Sequence, residues 1–160
     1  MKVLAIFALC IIGALATPCD DFKIMQEAWN TMKNEEVEIL YTVFKAYPDI
    51  QAKFPQFVGK DLETIKGTAE FAVHATRIVS FMTEVISLLG NPDNLPAIMS
   101  LLSKLGKDHK GRGITVKQFD EFHEAFHNFL HTHSVWNDNV DAAWHCNEKE
   151  IRKVINANLE

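Results

Sequence analysis

The chain has 160 residues, 48% of them hydrophobic, which suits one domain with a sizeable core. Its 16 basic residues stand against 21 acidic ones, a formal net charge of −5 at pH 7, and no basic block interrupts that balance. The charge argues against nucleic acid or an anionic membrane surface as a partner.

Lys2 opens an uncharged run, Val3 to Ala16, that ends in the small-x-small sequence Ala14-Leu15-Ala16. This reads as a secretory signal peptide over residues 1–16, followed by one domain over 17–160. The run is shorter than the roughly 20 apolar residues a membrane-spanning helix needs. Cys10 belongs to that leader, which leaves Cys19 and Cys146 near the two ends of the domain. In an oxidising compartment such a pair reads as one disulfide, the alternative being two free thiols.

Helical periodicity then runs almost throughout. Phe22, Met25, Trp29 and Met32 share one helix face, preceded by Asp20 and Asp21 as capping residues. Val37, Leu40, Tyr41 and Phe44 form a second stripe, stopped by Pro48, which suits the first turn of a short third helix. Residues 52–68 read as irregular, punctuated by Pro55, Gly59 and Gly67. A long helix follows with Phe71, His74, Ala75, Ile78, Phe81, Met82, Val85 and Leu89 on its apolar face, ended by Gly90-Asn91-Pro92. Leu95 to His109 forms the next helix, released by Gly111 and Gly113. Thr115 to His133 is rich in phenylalanine, at 119, 122, 126 and 129, and a last helix runs from about Val135 to the end. Seven or eight helices with short connectors predict an all-α domain.

Two histidines, His74 and His109, interrupt apolar faces of different helices. Facing each other across an apolar slot, two imidazoles can hold a flat metal cofactor, one binding the metal and the other facing its open position. A rival pattern is His123-Glu124-Ala125-Phe126-His127, the HExxH arrangement of zinc peptidases, with Glu148 about twenty residues on. Against it, no strand pattern exists to line a peptidase cleft, and Phe119, Phe122, Phe126 and Phe129 take the buried face of that helix. His123 and His127 are expected beside that face, on a wet shoulder with His131 and His133. Lipid or odorant carriage, a third reading, would call for more cysteines and no paired core histidines.

The run Leu40-x-x-x-Phe44-x-x-Tyr47-Pro48-x-x-x-x-x-Phe54-x-x-Phe57 resembles the second and third helices of globins and the corner after them. Residues Phe57 to Val79, and Leu105-Gly-Lys-Asp-His109-Lys-Gly-Arg-Gly-Ile114, look like the extracellular haemolymph haemoglobins of midge larvae. The resemblance covers essentially the whole of residues 17–160. It implies the globin fold of seven to eight helices around haem b, with no enzymatic activity. It makes His109 the proximal iron ligand and His74 the distal residue. It makes Ile78 an aliphatic gate, Leu40 a distal wall, and Phe54, Leu105, Phe119 and Phe122 lining residues, with Phe57 and Ile114 completing the set. Arg77, on the His74 face, is implied as a partner for a haem propionate or for the bound ligand, and Arg112 as a weaker one. The implied function is reversible dioxygen binding at five-coordinate iron, for transport or storage in haemolymph, by a monomer or homodimer. One departure from the family is the long interval between His74 and His109, with Gly90 to Pro96 as the extra loop.

Overall fold

A computed structural model describes residues 18–160; the leader expected over 1–16 lies outside the described residues. Among the described residues there are eight α-helices and no strand, in agreement with the all-α reading. Helix α1, Phe22–Met32, starts where the Asp21 carboxylate accepts the Ile24 N–H, and it buries Met25, Ala28, Trp29 and Met32. Helix α2, Glu36–Ala46, buries Ile39, Leu40, Val43 and Phe44. Pro48 stops it and opens α3, Pro48–Gln51.

The stretch read as irregular contains a short helix, α4, Leu62–Lys66. The Asp61 side chain accepts the Thr64 N–H at 3.0 Å, and Ile65 is buried, so a cap and one anchor hold a single turn. Helix α5, Ala69–Leu88, is capped by Thr68 and followed by Gly90 at φ +89°. Its length and mean hydropathy of 1.2 would let it cross a bilayer, but Phe71, Ala75, Val79, Val85 and Ile86 are buried in the core of the fold. The expected extra loop is a single 3₁₀ turn, Pro92–Asn94, leading directly into α6, Leu95–Lys110.

Helix α7, Val116–His133, opens on a capping box in which Thr115 and Gln118 satisfy each other's backbone N–H groups. Helix α8, Asp138–Leu159, starts later than Val135, because the Asn137 side chain accepts the N–H groups of both Asn139 and Val140. Val135 itself is 76% exposed, outside the helix.

Helix α6 lies along α8, while α2 packs against both α5 and α7. Helices α5 and α6, which carry the two candidate histidines, meet each other much less. Trp29, Phe126, Phe129 and Trp144 centre one apolar cluster, and the Trp29 indole donates to Thr83 Oγ1 at 2.9 Å. A disulfide joins Cys19 to Cys146, with Cα atoms 5.3 Å apart, and Asn147 donates to the Cys19 carbonyl at 3.2 Å.

The close approach of α6 to α8 depends on Gly106. A Cβ there would stand 2.6 Å from the Ile155 carbonyl oxygen and 2.7 Å from Asn158 Cβ. In an open helix, Gly→Ala stabilises by about 1 kcal/mol. Here a backbone carbonyl must give way, and overpacking costs about 1–3 kcal/mol. Gly106→Ala is therefore expected to lower the urea midpoint; a raised midpoint would show that the two helices part freely.

Candidate functional site

The candidate site lies where two apolar clusters carry the His74 and His109 rings, which are close enough for His109 to act on His74. On one side, Leu40 and Phe57 are buried with Phe44 and Ala75, and half-buried Phe54, Ile78 and Phe122 pack against them. On the other side, Phe119 and Leu102 are buried, with half-buried Leu105 and Ile114 against them. His74 belongs to the first wall: its ring meets Phe54 edge-on at 4.6 Å. His109 belongs to the second, edge-on to Phe119 at 5.5 Å.

Helix geometry fixes the His109 ring. Its Nδ1 lies 2.9 Å from the carbonyl oxygen of Leu105, one turn earlier on α6. A carbonyl only accepts, so Nδ1 carries the proton and Nε2 keeps a free lone pair, the state that binds a metal. Burial pushes the His109 pKa down; the Leu105 carbonyl opposes that, Arg112 adds to it, and Asp108 opposes it. His74 is pushed further, to about 4, first by burial and then by the charges of Arg77, His109 and Arg112. Both imidazoles are neutral at pH 7. Arg77 and Arg112 are exposed and close enough to act on His74.

Such a slot suits a flat, mainly apolar metal cofactor: it offers one neutral nitrogen base, a second imidazole opposite, aromatic and aliphatic walls, and two arginines nearby. The sequence model of the globin family matches residues 37–155. The chain is a globin.

Its relatives include Globin CTT-VIIB-7 of Chironomus thummi piger, 58% identical, with 90% of each chain covered. Globin CTT-Z of Chironomus thummi thummi is 56% identical, again with 90% of each chain covered. Among solved structures, a hemoglobin component (TA-VII) from Tokunagayusurika akamusi superposes with a TM-score of 0.84 and 41% identity. That match covers 90% of this chain and 97% of that one. The resemblance to midge globins read from the sequence therefore holds, as does the fold, and membership of this family sets the chain apart from zinc peptidases.

Three residues that tie the elements of the candidate site together were not singled out in the sequence. Gln51, buried at the end of α3, donates from Nε2 to the carbonyls of Phe57 and Lys60, at 3.0 and 2.9 Å. It thereby fixes the corner carrying Phe54 and Phe57. Gln118, also buried, donates to Asp49 Oδ2 at 3.1 Å and ties the start of α7 to α3. Lys53 adds a third tie, donating to the Gly113 carbonyl at 2.7 Å just beyond the His109 helix. A capping box at Thr115 and Gln118 is visible in sequence as Thr-x-x-Gln, but its second role at Asp49 is not.

The shoulder expected for the α7 histidines is corrected by the structure. His123 is buried, 5% exposed, with its ring 5.4 Å from Phe119 and 5.8 Å from Phe122. The opposing surface of α8 covers it, which a single-helix pattern does not show. His127 is half-buried, and His131 and His133 are exposed as expected.

Proposed function

We propose that this globin binds haem b through His109 and carries dioxygen reversibly, with His74 as the distal residue. The observation that carries this reading is the pairing of a carbonyl-tethered neutral imidazole at His109 with a second neutral imidazole, His74, in an otherwise apolar slot. When bound, haem supplies a ferrous iron that takes up dioxygen. His109 would hold the iron through Nε2, kept in one tautomer by the Leu105 carbonyl.

His74 keeps one ring proton and no charge at pH 7, so it can donate a hydrogen bond to a polar diatomic ligand without drawing in water. Leu40, Phe54 and Ile78 keep that side dry, and Phe57, Leu105, Ile114, Phe119 and Phe122 complete the lining. Arg77 and Arg112 provide positive charge for the propionates. The leader over residues 1–16, a domain over 17–160 and the Cys19–Cys146 bridge fit export to an oxidising extracellular fluid such as haemolymph.

The test is an absorption spectrum of the haemin-loaded, reduced protein followed by oxygen dissociation kinetics. A five-coordinate ferrous spectrum is expected, converting reversibly on oxygenation. His74→Leu is expected to speed oxygen release about 10- to 100-fold, since hydrogen bonds to charged groups contribute roughly 1.5–3 kcal/mol. No haem uptake refutes the proposal; a six-coordinate ferrous spectrum refutes the open iron position.

A further inference from the structure

An open groove of about 900 Å³ separates α7 from α8. Its walls carry His123, Glu124 and His127 from α7, and His145, Glu148 and Arg152 from α8. Among the described residues, neither ring nitrogen of His123, 5% exposed, has a hydrogen-bond partner, nor has His127 Nε2, although Glu148 and Asp141 stand within ion-pair distance of His123 Nδ1 and His127 Nε2. Buried polar atoms are normally satisfied, so the His123 ring, whose Nε2 has neither a hydrogen bond nor an ion pair among the described residues, points to a missing ligand.

We propose that this groove binds one divalent transition-metal ion of the zinc class, through His123, His127 and Glu148. The two histidines are four residues apart on one helix, the spacing at which two imidazoles share a face and can grip one ion. Glu148 Oε1 stands 3.1 Å from His123 Nδ1, yet the two make no hydrogen bond. Close approach without mutual alignment is how two ligands of a common ion stand. With metal–ligand bonds of roughly 2.0–2.2 Å, adjacent corners of a tetrahedron are about 3.3–3.6 Å apart.

His127 Nε2 rests 3.5 Å from Asp141 Oδ1, and its side chain is 29% exposed, which leaves room to turn into the groove. That turn is required, because among the described residues no three such side chains already meet at one point. The site is a binding site without peptidase chemistry: Glu124, the residue a peptidase would use as base, accepts a hydrogen bond from the Tyr47 hydroxyl.

The inference is independent of what fills the slot. It is tested by titrating zinc into the haemin-loaded full chain, whose haem spectrum is recorded in the same sample. The expected result is about one zinc per chain with a dissociation constant on the order of micromolar. Zinc K-edge absorption is expected to show two imidazoles. His127→Gln and Glu148→Gln, each checked for unchanged helicity, should weaken binding by at least roughly tenfold. His133→Gln should not, since that ring stacks on Phe129 and its Nδ1 lies 3.0 Å from the Phe129 carbonyl. No zinc uptake, zinc without the two-imidazole signature, or uptake unchanged in both groove variants overturns the proposal.

Discussion

His109→Gly is expected to yield a folded chain that loses haem on the order of a hundredfold faster or more, with added imidazole restoring both retention and spectrum. Changes to groups that merely orient a metal ligand already cost about 10- to 100-fold in affinity, so removing the ligand itself should cost at least as much. The fold is expected to survive, because His109 is half-buried near the end of α6 and the helix end is secured by other bonds. The Ile114 N–H reaches the His109 carbonyl at 3.1 Å, a backbone contact that the substitution keeps. His74→Leu provides the contrast. Its imidazole is driven to a pKa of about 4, by burial first and then by Arg77, His109 and Arg112, and among the described residues no carbonyl tethers it as Leu105 tethers His109. Haem retention should therefore survive His74→Leu while ligand kinetics change. If His74→Leu released haem and His109→Gly did not, the two roles would be reversed.

The two histidines themselves were legible in the sequence, because each breaks an apolar helix stripe and such breaks are visible at 3.6-residue periodicity; their different roles were implied only by the resemblance to globins. The same periodicity placed α1, α2, α5, α6 and α7. It failed at α4, where one turn depends on the Asp61 cap and on the burial of Ile65, too short a signal for any stripe. It also misplaced the start of α8, where Trp136-Asn137 looks helical until the Asn137 side chain turns back to cap the next residues.

At the site the limit is different. Leu40 and Phe119 lie on apolar helix stripes and are buried, and Phe54 was implied by the resemblance to globins, whereas Gln51 and Gln118 are polar, and their burial is decided by partners elsewhere in the chain. His123 fails for the same reason. Its position beside the phenylalanine stripe is clear from α7 alone, but only the arrival of Glu148 from α8 turns that flank into a buried one. Burial that follows from one helix's own apolar pattern could be read from sequence, and burial of a polar residue decided by a partner on another helix could not.

The disulfide belongs to the legible part, and removing it should have the largest effect on stability. Cys19 and Cys146 are separated by 127 positions, and closing so long a loop removes about 5 kcal/mol of chain entropy from the unfolded state. Domains of this size are stable by only about 5–15 kcal/mol in total, so the Cys19→Ser, Cys146→Ser double variant should sit near the lower edge of foldedness. The native state loses little in exchange. Cys19 lies in the 3₁₀ turn Pro18–Asp20, held to α8 also by the Asn147 bond to its carbonyl, and it lies outside the apolar clusters that wall the slot. Urea denaturation of wild type with and without reductant, beside the double variant, checks this. A midpoint shift worth several kcal/mol with an unchanged haem spectrum is expected. A shift below about 1 kcal/mol would mean that the bridge only pins a fraying terminus, and that the apolar cluster around Trp29 and Trp144 holds α1 to α8 without it.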